Sequence, residues 1–291
     1  MVSLLGSENS TNVRANVISW LLDALAEEGR AASPAETAAL DFITPERHVA
    51  PPMLPEPSGG TVLAVPGWSP HLAARLWGGH LHGAPTVLLL HGWEGQMYDM
   101  VGFVQPLLDR GYRVVALDAP AHGRSSGETA TLTDFARAAV AVAAIVGPLA
   151  GAIGHSLGGT ALALAAEEGA HIPRLALIGA PAHPLRFALG TARRHRLDAD
   201  QTGEMLRLIG KAAGRRVEAV SLPAIAAGLS ARGMVVHSAE DRIVPVADAL
   251  ETAGSWPGAR LHLVDGLGHR RLLSDPGVVQ DVVDWMSGPS T

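Results

Sequence analysis

The stretch that decides the fold is Gly154-His155-Ser156-Leu157-Gly158. An apolar run at residues 149–153 precedes it, and an alanine- and leucine-rich segment at 160–168 follows it. This order of strand, sharp turn and helix lifts a serine hydroxyl clear of the backbone, where a base can activate it. A Cβ at either flanking glycine would crowd the turn. The pattern predicts a nucleophilic Ser156, and the alternative is a chance glycine-rich turn.

Apolar runs alternate with helical patterns on both sides of this turn. The runs lie at 86–90, 113–117, 149–153, 175–178, 234–237 and 260–264, and the helical patterns at 98–110, 132–146, 160–168, 246–253 and 276–286. Two earlier strands, at 61–65 and 72–77, suggest a hairpin around Pro66-Gly67. Strands without in-and-out alternation, separated by helices, indicate a mostly parallel sheet covered on both faces. The predicted fold is therefore a doubly wound α/β sheet with its active site at the carboxyl ends of the strands.

Two regions fall outside this alternation. At the N-terminus, residues 12–28 have helical periodicity, and Ser33-Pro34-Ala35-Glu36 has the spacing of a capping box before a second helix toward Ile43. The proline-rich segment 45–60 is a linker. The pattern at 182–231 loosens into short helices, which predicts a cap above the strand ends. The chain thus divides into a helical N-terminal extension with its linker (1–60), a core (61–181 and 232–291) and a helical cap (182–231).

Composition excludes several classes of protein. Hydrophobic residues make up 47% and charged residues 17% of the chain, which favours a compact globule over disorder. The net charge of −6 comes without a long basic block, so we expect no nucleic-acid partner and no membrane-binding patch. Without cysteine, and without a His-x-x-x-His pair, we expect no metal and no cofactor. The first residues lack a basic leader and an apolar core, so the expected location is the cytoplasm.

A nucleophilic serine needs a base and an acid that orients the base, both in loops after later strands. The loop 238–245 contains Glu240 and Asp241, and the loop after the next apolar run contains His269. The order along the chain is therefore serine, acid, histidine. On residue type alone, either carboxylate qualifies as the acid.

At this point the chain resembles the α/β-hydrolase superfamily over residues 61–287. The resemblance rests on His91-Gly92, the 118–125 loop with His122-Gly123, Gly154-His155-Ser156-Leu157-Gly158, Asp241 with Val244-Pro245, and His269. It implies Ser156 as nucleophile, His269 as general base and acid, and Asp241 as the residue that orients His269. Because of the Val-Pro that follows Asp241, the resemblance favours Asp241 over Glu240. It also implies an oxyanion hole formed by the backbone N–H groups of Trp93 and Leu157.

The substrate pocket is less well specified by the sequence. Candidates for its walls are Trp93, Met97, His155 and Phe187, and each is equally a candidate core residue. The resemblance gives His91 and His122 structural roles. Glu94 directly follows the oxyanion-hole tryptophan, and we expect its carboxylate to point away from the developing negative charge.

The predicted function is a cofactor-free serine esterase that cleaves a small-to-medium carboxylic ester through an acyl-enzyme. The same triad serves thioesterases, acyltransferases and hydrolases of carbon–carbon bonds, because fold and triad fix the mechanism better than the substrate. A ligand receptor built on the same scaffold is the alternative from another class. Turnover distinguishes them, since a receptor binds its ligand and hydrolyses it hardly at all.

Overall fold

The computed structural model describes residues 13–14, 21, 29–47, 54–69 and 71–288. The described residues form ten strands and nine α-helices. The strands are β1 (Val13–Arg14), β2 (Thr61–Leu63), β3 (Trp68–Ser69), β4 (Ala74–Trp77), β5 (Thr86–Leu90), β6 (Arg113–Leu117), β7 (Leu149–His155), β8 (Arg174–Ile178), β9 (Arg232–Ser238) and β10 (Arg260–Val264). The α-helices are α1 (Pro34–Ile43), α2 (Val104–Asp109), α3 (Leu132–Val146), α4 (Leu157–Glu167), α5 (Leu185–Arg194), α6 (Ala199–Ala213), α7 (Leu222–Gly228), α8 (Val246–Ser255) and α9 (Pro276–Ser287). Short 3₁₀ helices lie at Met97–Phe103, Val217–Ala219 and Arg271–Leu273.

Eight strands form one sheet in the order β10-β9-β8-β7-β5-β6-β4-β2. The strands from β5 to β10 run parallel, whereas β4 and β2 are antiparallel to their neighbours. The predicted doubly wound, mostly parallel sheet is confirmed. The chain passes from β5 to β6 on one side and then crosses back to β7 on the other side of β5. Such a reversal opens a crevice at the carboxyl ends of the strands.

The central strands are buried on both faces, which explains their continuous apolar runs. All five residues of β5 are buried. Leu88 and Leu90 pack into a core with α3 and α4, whereas Val87 and Leu89 pack into a second core with α2, α9 and the 3₁₀ helix Met97–Phe103. Helices therefore cover the sheet on both sides and leave its strand ends for the site.

The N-terminal helix α1 packs against the cap rather than standing alone. Its Ser33 caps the helix and forms the predicted capping box with Glu36. A third apolar cluster joins the buried face of α1 to α5 and α6, through Ala35, Ala38, Ala39, Ile43, Ala188, Ala192, Met205, Leu208, Ile209 and Ala212. The extension and the cap thus form one helical layer.

Several predicted boundaries differ from the structure. Within the helix predicted for 12–28, Val13–Arg14 are a strand, because they pair with Trp68–Ser69 and this pairing overrides the local periodicity. Of the rest of that prediction, Leu21 is helical, and all of its other residues lie outside the described part of the chain. Residues 98–110 begin as a 3₁₀ helix and become α-helical only at Val104. In the segment 182–231 that is predicted as a cap, α7 packs on α4 and α8.

Candidate active site

Ser156 stands at the turn between β7 and α4. Its backbone has φ 50° and ψ −126°, a conformation that costs energy for any residue with a Cβ. Its N–H donates to the carbonyl oxygen of Ile178, 2.8 Å away. A Cβ at Gly158 would lie 2.2 Å from the carbonyl oxygen of His91, and one at Gly154 would lie 2.5 Å from Gly159 Cα. The two glycines therefore allow strand and helix to approach closely enough to form this turn.

Positive φ angles mark the loops at this edge of the sheet. Four described residues other than glycine have positive φ, and three of them are Glu94, Ala121 and Ser156. These three follow β5, β6 and β7, which are neighbours in the sheet. Strained backbone of this kind persists where surrounding contacts impose it, and it concentrates at functional sites.

Asp241 and His269 form a hydrogen-bonded pair. His269 Nδ1 donates to Asp241 Oδ2 across 2.6 Å, and the other carboxylate oxygen accepts the N–H groups of Ile243 and Val244 at 2.8 and 2.9 Å. Burial alone would raise the pKa of Asp241, but the hydrogen bonds from His269 and these N–H groups outweigh it and lower that pKa. An ionised Asp241 fixes the proton of His269 on Nδ1 and leaves Nε2 as a base.

Glu240 does not reach His269 in this way. Its Oε2 accepts the N–H of Gly266 at 2.5 Å and lies 3.3 Å from Ser238 Oγ. Glu240 therefore ties together the two loops that carry the pair, and Asp241 is the carboxylate on the histidine.

The end of β8 brings the pair to Ser156. A Cβ at Gly179 would lie 3.3 Å from both Cε1 and Nδ1 of His269, while the preceding Ile178 accepts the Ser156 N–H. His155 adds a second link, because its Nε2 donates to the backbone oxygen of His269 at 3.1 Å. Ser156, Asp241 and His269 thus gather around one strand end, although they are far apart in sequence.

The loop after β5 lies directly beside Ser156. A Cβ at Gly92 would come within 2.8 Å of Ser156 Cβ, so only glycine fits there. In the described part of the chain, the N–H groups of Trp93 and Leu157 have no hydrogen-bond acceptor. The Trp93 ring packs on Phe135 with centroids 6.2 Å apart and on His122 with centroids 4.9 Å apart. Trp93 therefore lies in the loop beside Ser156, and Leu157, the other predicted oxyanion-hole donor, directly follows Ser156.

The other predicted pocket residues occupy three different positions. Met97 is 4% exposed and packs in the core between the sheet and the 3₁₀ helix that it begins. His155 is 6% exposed and contacts the His269 loop. Phe187 is half-buried on α5. Of the four candidates, Trp93 lies in the loop beside Ser156 and His155 directly precedes Ser156, so the pocket stays a prediction. Two surface cavities of about 350 and 390 Å³ have none of the four in their walls.

Three residues near the site were not predicted from the sequence to lie there. His237, next to last in β9, is fully buried; its Nε2 donates to the Val244 oxygen at 2.9 Å and lies 3.6 Å from Asp241 Oδ2. Arg47 binds backbone oxygens of the 122–127 loop, and the N–H of Glu46 binds Glu94. The proximity of His237 to the site could have been inferred, because His237 lies four residues before Asp241. No local sequence pattern indicates the contacts of Arg47 and Glu46.

Three buried histidines are held neutral. Burial lowers the pKa of His91 to about 4 and the pKa values of His122 and His155 to about 3. His91 Nδ1 donates to the Gly92 oxygen and its Nε2 accepts the Ala119 N–H, which is a structural role. His122 Nδ1 donates to the Pro120 oxygen.

We expect these histidines to make stability depend on pH. An unfolded imidazole has a pKa of about 6.5, so below that pH the unfolded chain binds protons that the folded protein excludes, and the free energy of unfolding falls. Burial raises the pKa values of Asp99, Asp118 and Asp134, and these carboxyl groups affect the free energy of unfolding in the opposite sense.

A substitution of one histidine separates its contribution from those of the other groups. Between pH 7 and pH 5, the free energy of unfolding should fall by about 2 kcal/mol less in His122→Asn than in wild type, as measured by urea unfolding. Equal losses in the two proteins would contradict this account.

In the described ranges, no three His, Asp or Glu side chains come together as a metal site, and no helix is both long and apolar enough to cross a membrane.

Comparisons with known proteins point to one family. The sequence model of the Alpha/beta hydrolase family matches residues 87–282, more than half of the chain. A curated relative is the dihydrolipoyllysine-residue acetyltransferase component of the acetoin cleaving system of Cupriavidus necator, which is 38% identical over 109 residues. That match covers 36% of this chain and only 28% of the relative.

Similar solved structures show the same fold at low identity. Est1E from Butyrivibrio proteoclasticus has a TM-score of 0.58 at 19% identity, over 79% of this chain and 98% of that one. The Pyrococcus furiosus esterase Pf2001 has a TM-score of 0.60 at 17% identity, over 84% and 96%. A bacterial membrane phospholipase A has a TM-score of 0.58 at 20% identity, over 93% and 98%. With the family match, the sheet order and the turn at Ser156, this chain belongs to the alpha/beta hydrolase family.

Proposed function

We propose that this protein is a serine carboxylesterase acting on small-to-medium esters through an acyl-enzyme. The observation that carries the proposal is the 2.6 Å hydrogen bond between His269 and Asp241, held at the strand end that also binds the Ser156 N–H. A serine on a strained turn, beside a histidine whose free nitrogen is a base, is the arrangement that nucleophilic acyl transfer requires.

The first half of the reaction forms the acyl-enzyme. Ser156 Oγ attacks the ester carbonyl carbon as His269 Nε2 takes the hydroxyl proton, and the carbonyl electrons move onto oxygen. The unpaired N–H groups of Trp93 and Leu157 are the proposed donors to this oxyanion. Collapse of the tetrahedral intermediate breaks the bond to the leaving alkoxide, which takes the proton from His269.

The second half repeats these steps with water. His269 deprotonates the water as it attacks the acyl-enzyme, and the proton returns to Ser156 Oγ when the acid leaves. Asp241 stays ionised throughout and stabilises the imidazolium, in keeping with its lowered pKa. The mechanism requires no cofactor or metal.

Acyl transfer to an acceptor other than water is the second candidate. The relative from C. necator is named as an acetyltransferase component, although most of its length lies outside the match. The acyl-enzyme would be the same, and only the group that resolves it would differ.

Hydrolysis of p-nitrophenyl esters from acetate to decanoate, by wild type and Ser156→Ala in parallel, tests the proposal. We expect serine-dependent release of many p-nitrophenolate molecules per protein, with the fastest ester marking the acyl preference. Release of one equivalent that resumes on adding a thiol or alcohol acceptor would favour acyl transfer. Binding without release would favour a receptor, and release independent of Ser156 would refute the mechanism.

A further inference from the structure

The turn that carries the Trp93 N–H has an unusual residue at its third position. Gly95 N–H donates to the Gly92 oxygen at 3.1 Å, which closes a four-residue turn over residues 92–95. Glu94 holds a φ of 57° in this turn, where glycine is ordinarily favoured. Because glycine would adopt this backbone shape without strain, the feature specific to this position is the glutamate side chain.

That contact comes from the segment after α1. The N–H of Glu46 donates to Glu94 Oε1 at 3.1 Å. The Glu94 carboxylate is therefore held by the segment after α1, and its direction away from the oxyanion stays a prediction. A glycine or alanine at position 94 would leave the Glu46 N–H without this acceptor.

The same segment also holds the loop on the other side of Trp93. Arg47 donates to the backbone oxygens of Ser125 and Gly127 at 2.7 and 2.5 Å. This loop presents His122, whose ring meets the Trp93 indole edge-on with centroids 4.9 Å apart. We call residues 43–47 the strap. Glu46 binds the side chain of Glu94, which follows Trp93, and Arg47 binds the loop whose His122 packs on the Trp93 ring.

The strap is also anchored at its first residue, Ile43. The Ile43 oxygen accepts the Ala130 N–H at 2.8 Å, just before α3, and Ile43 itself is 1% exposed in the cluster of α1, α5 and α6. The cap layer, the strap and the loops after β5 and β6 are therefore linked by contacts at each step.

We propose that Glu94 is a positioning residue for the oxyanion hole, and that the strap aims the Trp93 N–H through it. The proposal rests on the serine mechanism above. The 46–94 hydrogen bond holds the turn in the conformation that leaves the Trp93 N–H without a protein acceptor and beside Ser156. A donor fixed in advance contributes where negative charge develops, and misalignment reduces that contribution.

Three substitutions at one position separate the acceptor from the backbone shape. Glu94→Gln keeps an acceptor for the Glu46 N–H, Glu94→Gly keeps the positive φ without an acceptor, and Glu94→Ala keeps neither. We expect near-wild-type kcat for Glu94→Gln and a kcat lower by about tenfold or more for the other two, with KM little changed. Affinity for a trifluoromethyl ketone, which forms a tetrahedral adduct, should fall by the same factor as kcat.

Two further variants complete the experiment. Arg196 also has positive φ, 55°, but lies after α5, so Arg196→Gly should relieve similar strain and leave both kcat and ketone affinity unchanged. Arg47→Ala removes the other arm of the strap and should lower kcat without raising KM. Urea unfolding of every variant separates these effects from loss of fold.

The outcomes are distinguishable from failure of the proposed function. Serine-dependent hydrolysis that is equally fast in wild type and Glu94→Gly, with equal ketone affinity, would overturn the role of Glu94 and leave the esterase standing. Wild type without Ser156-dependent hydrolysis would overturn both.

Discussion

Replacing Ser156 with alanine is expected to lower kcat/KM for the best ester by about four orders of magnitude or more. The acyl-enzyme cannot form without Oγ, whereas the backbone contacts of residue 156 remain, including its N–H bond to Ile178. The free energy of unfolding should therefore stay close to that of wild type. Stopped-flow release of p-nitrophenolate and urea unfolding measure the two quantities.

Ser230→Ala is the matched control, because Ser230 is an exposed serine in the loop before β9. It should keep full activity. Hydrolysis by Ser156→Ala within tenfold of wild type would show that another residue, or water alone, attacks the ester.

Asp241→Asn is expected to lower kcat by roughly three to four orders of magnitude. Asparagine can present its amide N–H₂ to His269 Nδ1, which moves the imidazole proton to Nε2 and removes the base. The 2.6 Å bond and the lowered pKa of Asp241 show how strongly the native pair favours the opposite tautomer. The loss should persist at all pH values where the protein is folded.

The neighbouring carboxylate supplies the control for this change. Glu240→Gln retains an oxygen for the Gly266 N–H and does not touch the base, so its kcat should remain near wild type. A large loss in Glu240→Gln with a small loss in Asp241→Asn would reverse the assignment of the acid.

The local patterns of the sequence predicted the sheet well, because burial on both faces leaves a clear signature. The runs at 86–90 and 113–117 coincide with β5 and β6. The turn at Ser156 was equally predictable, since close approach of strand and helix demands glycine on both sides. Elements that are held by long-range contacts were not predictable in this way. Val13–Arg14 are a strand because they pair with Trp68–Ser69, and α7 packs on α4 and α8, which lie elsewhere in the sequence.

The candidate site shows the same division. Motif order along the chain was enough to nominate Asp241 and His269 as partners of Ser156. The predicted pocket residues stay a prediction, because an apolar residue such as Met97 has the same sequence signature in a core as in a pocket wall. The contacts of the strap could not be predicted from the sequence either. They involve the backbone N–H of Glu46 and backbone oxygens that Arg47 binds. Backbone groups have no sequence signature.

The assignment of Ser156 as nucleophile is the claim on which the rest depends, and covalent labelling tests it most directly. A fluorophosphonate reacts with an activated serine by forming an oxygen–phosphorus bond and releasing fluoride, while the histidine takes the hydroxyl proton. Intact-mass and peptide-mapping spectrometry should find one adduct per chain, located on Ser156, and none in Ser156→Ala. No adduct in folded wild type, or an adduct on another residue that persists in Ser156→Ala, would contradict the account.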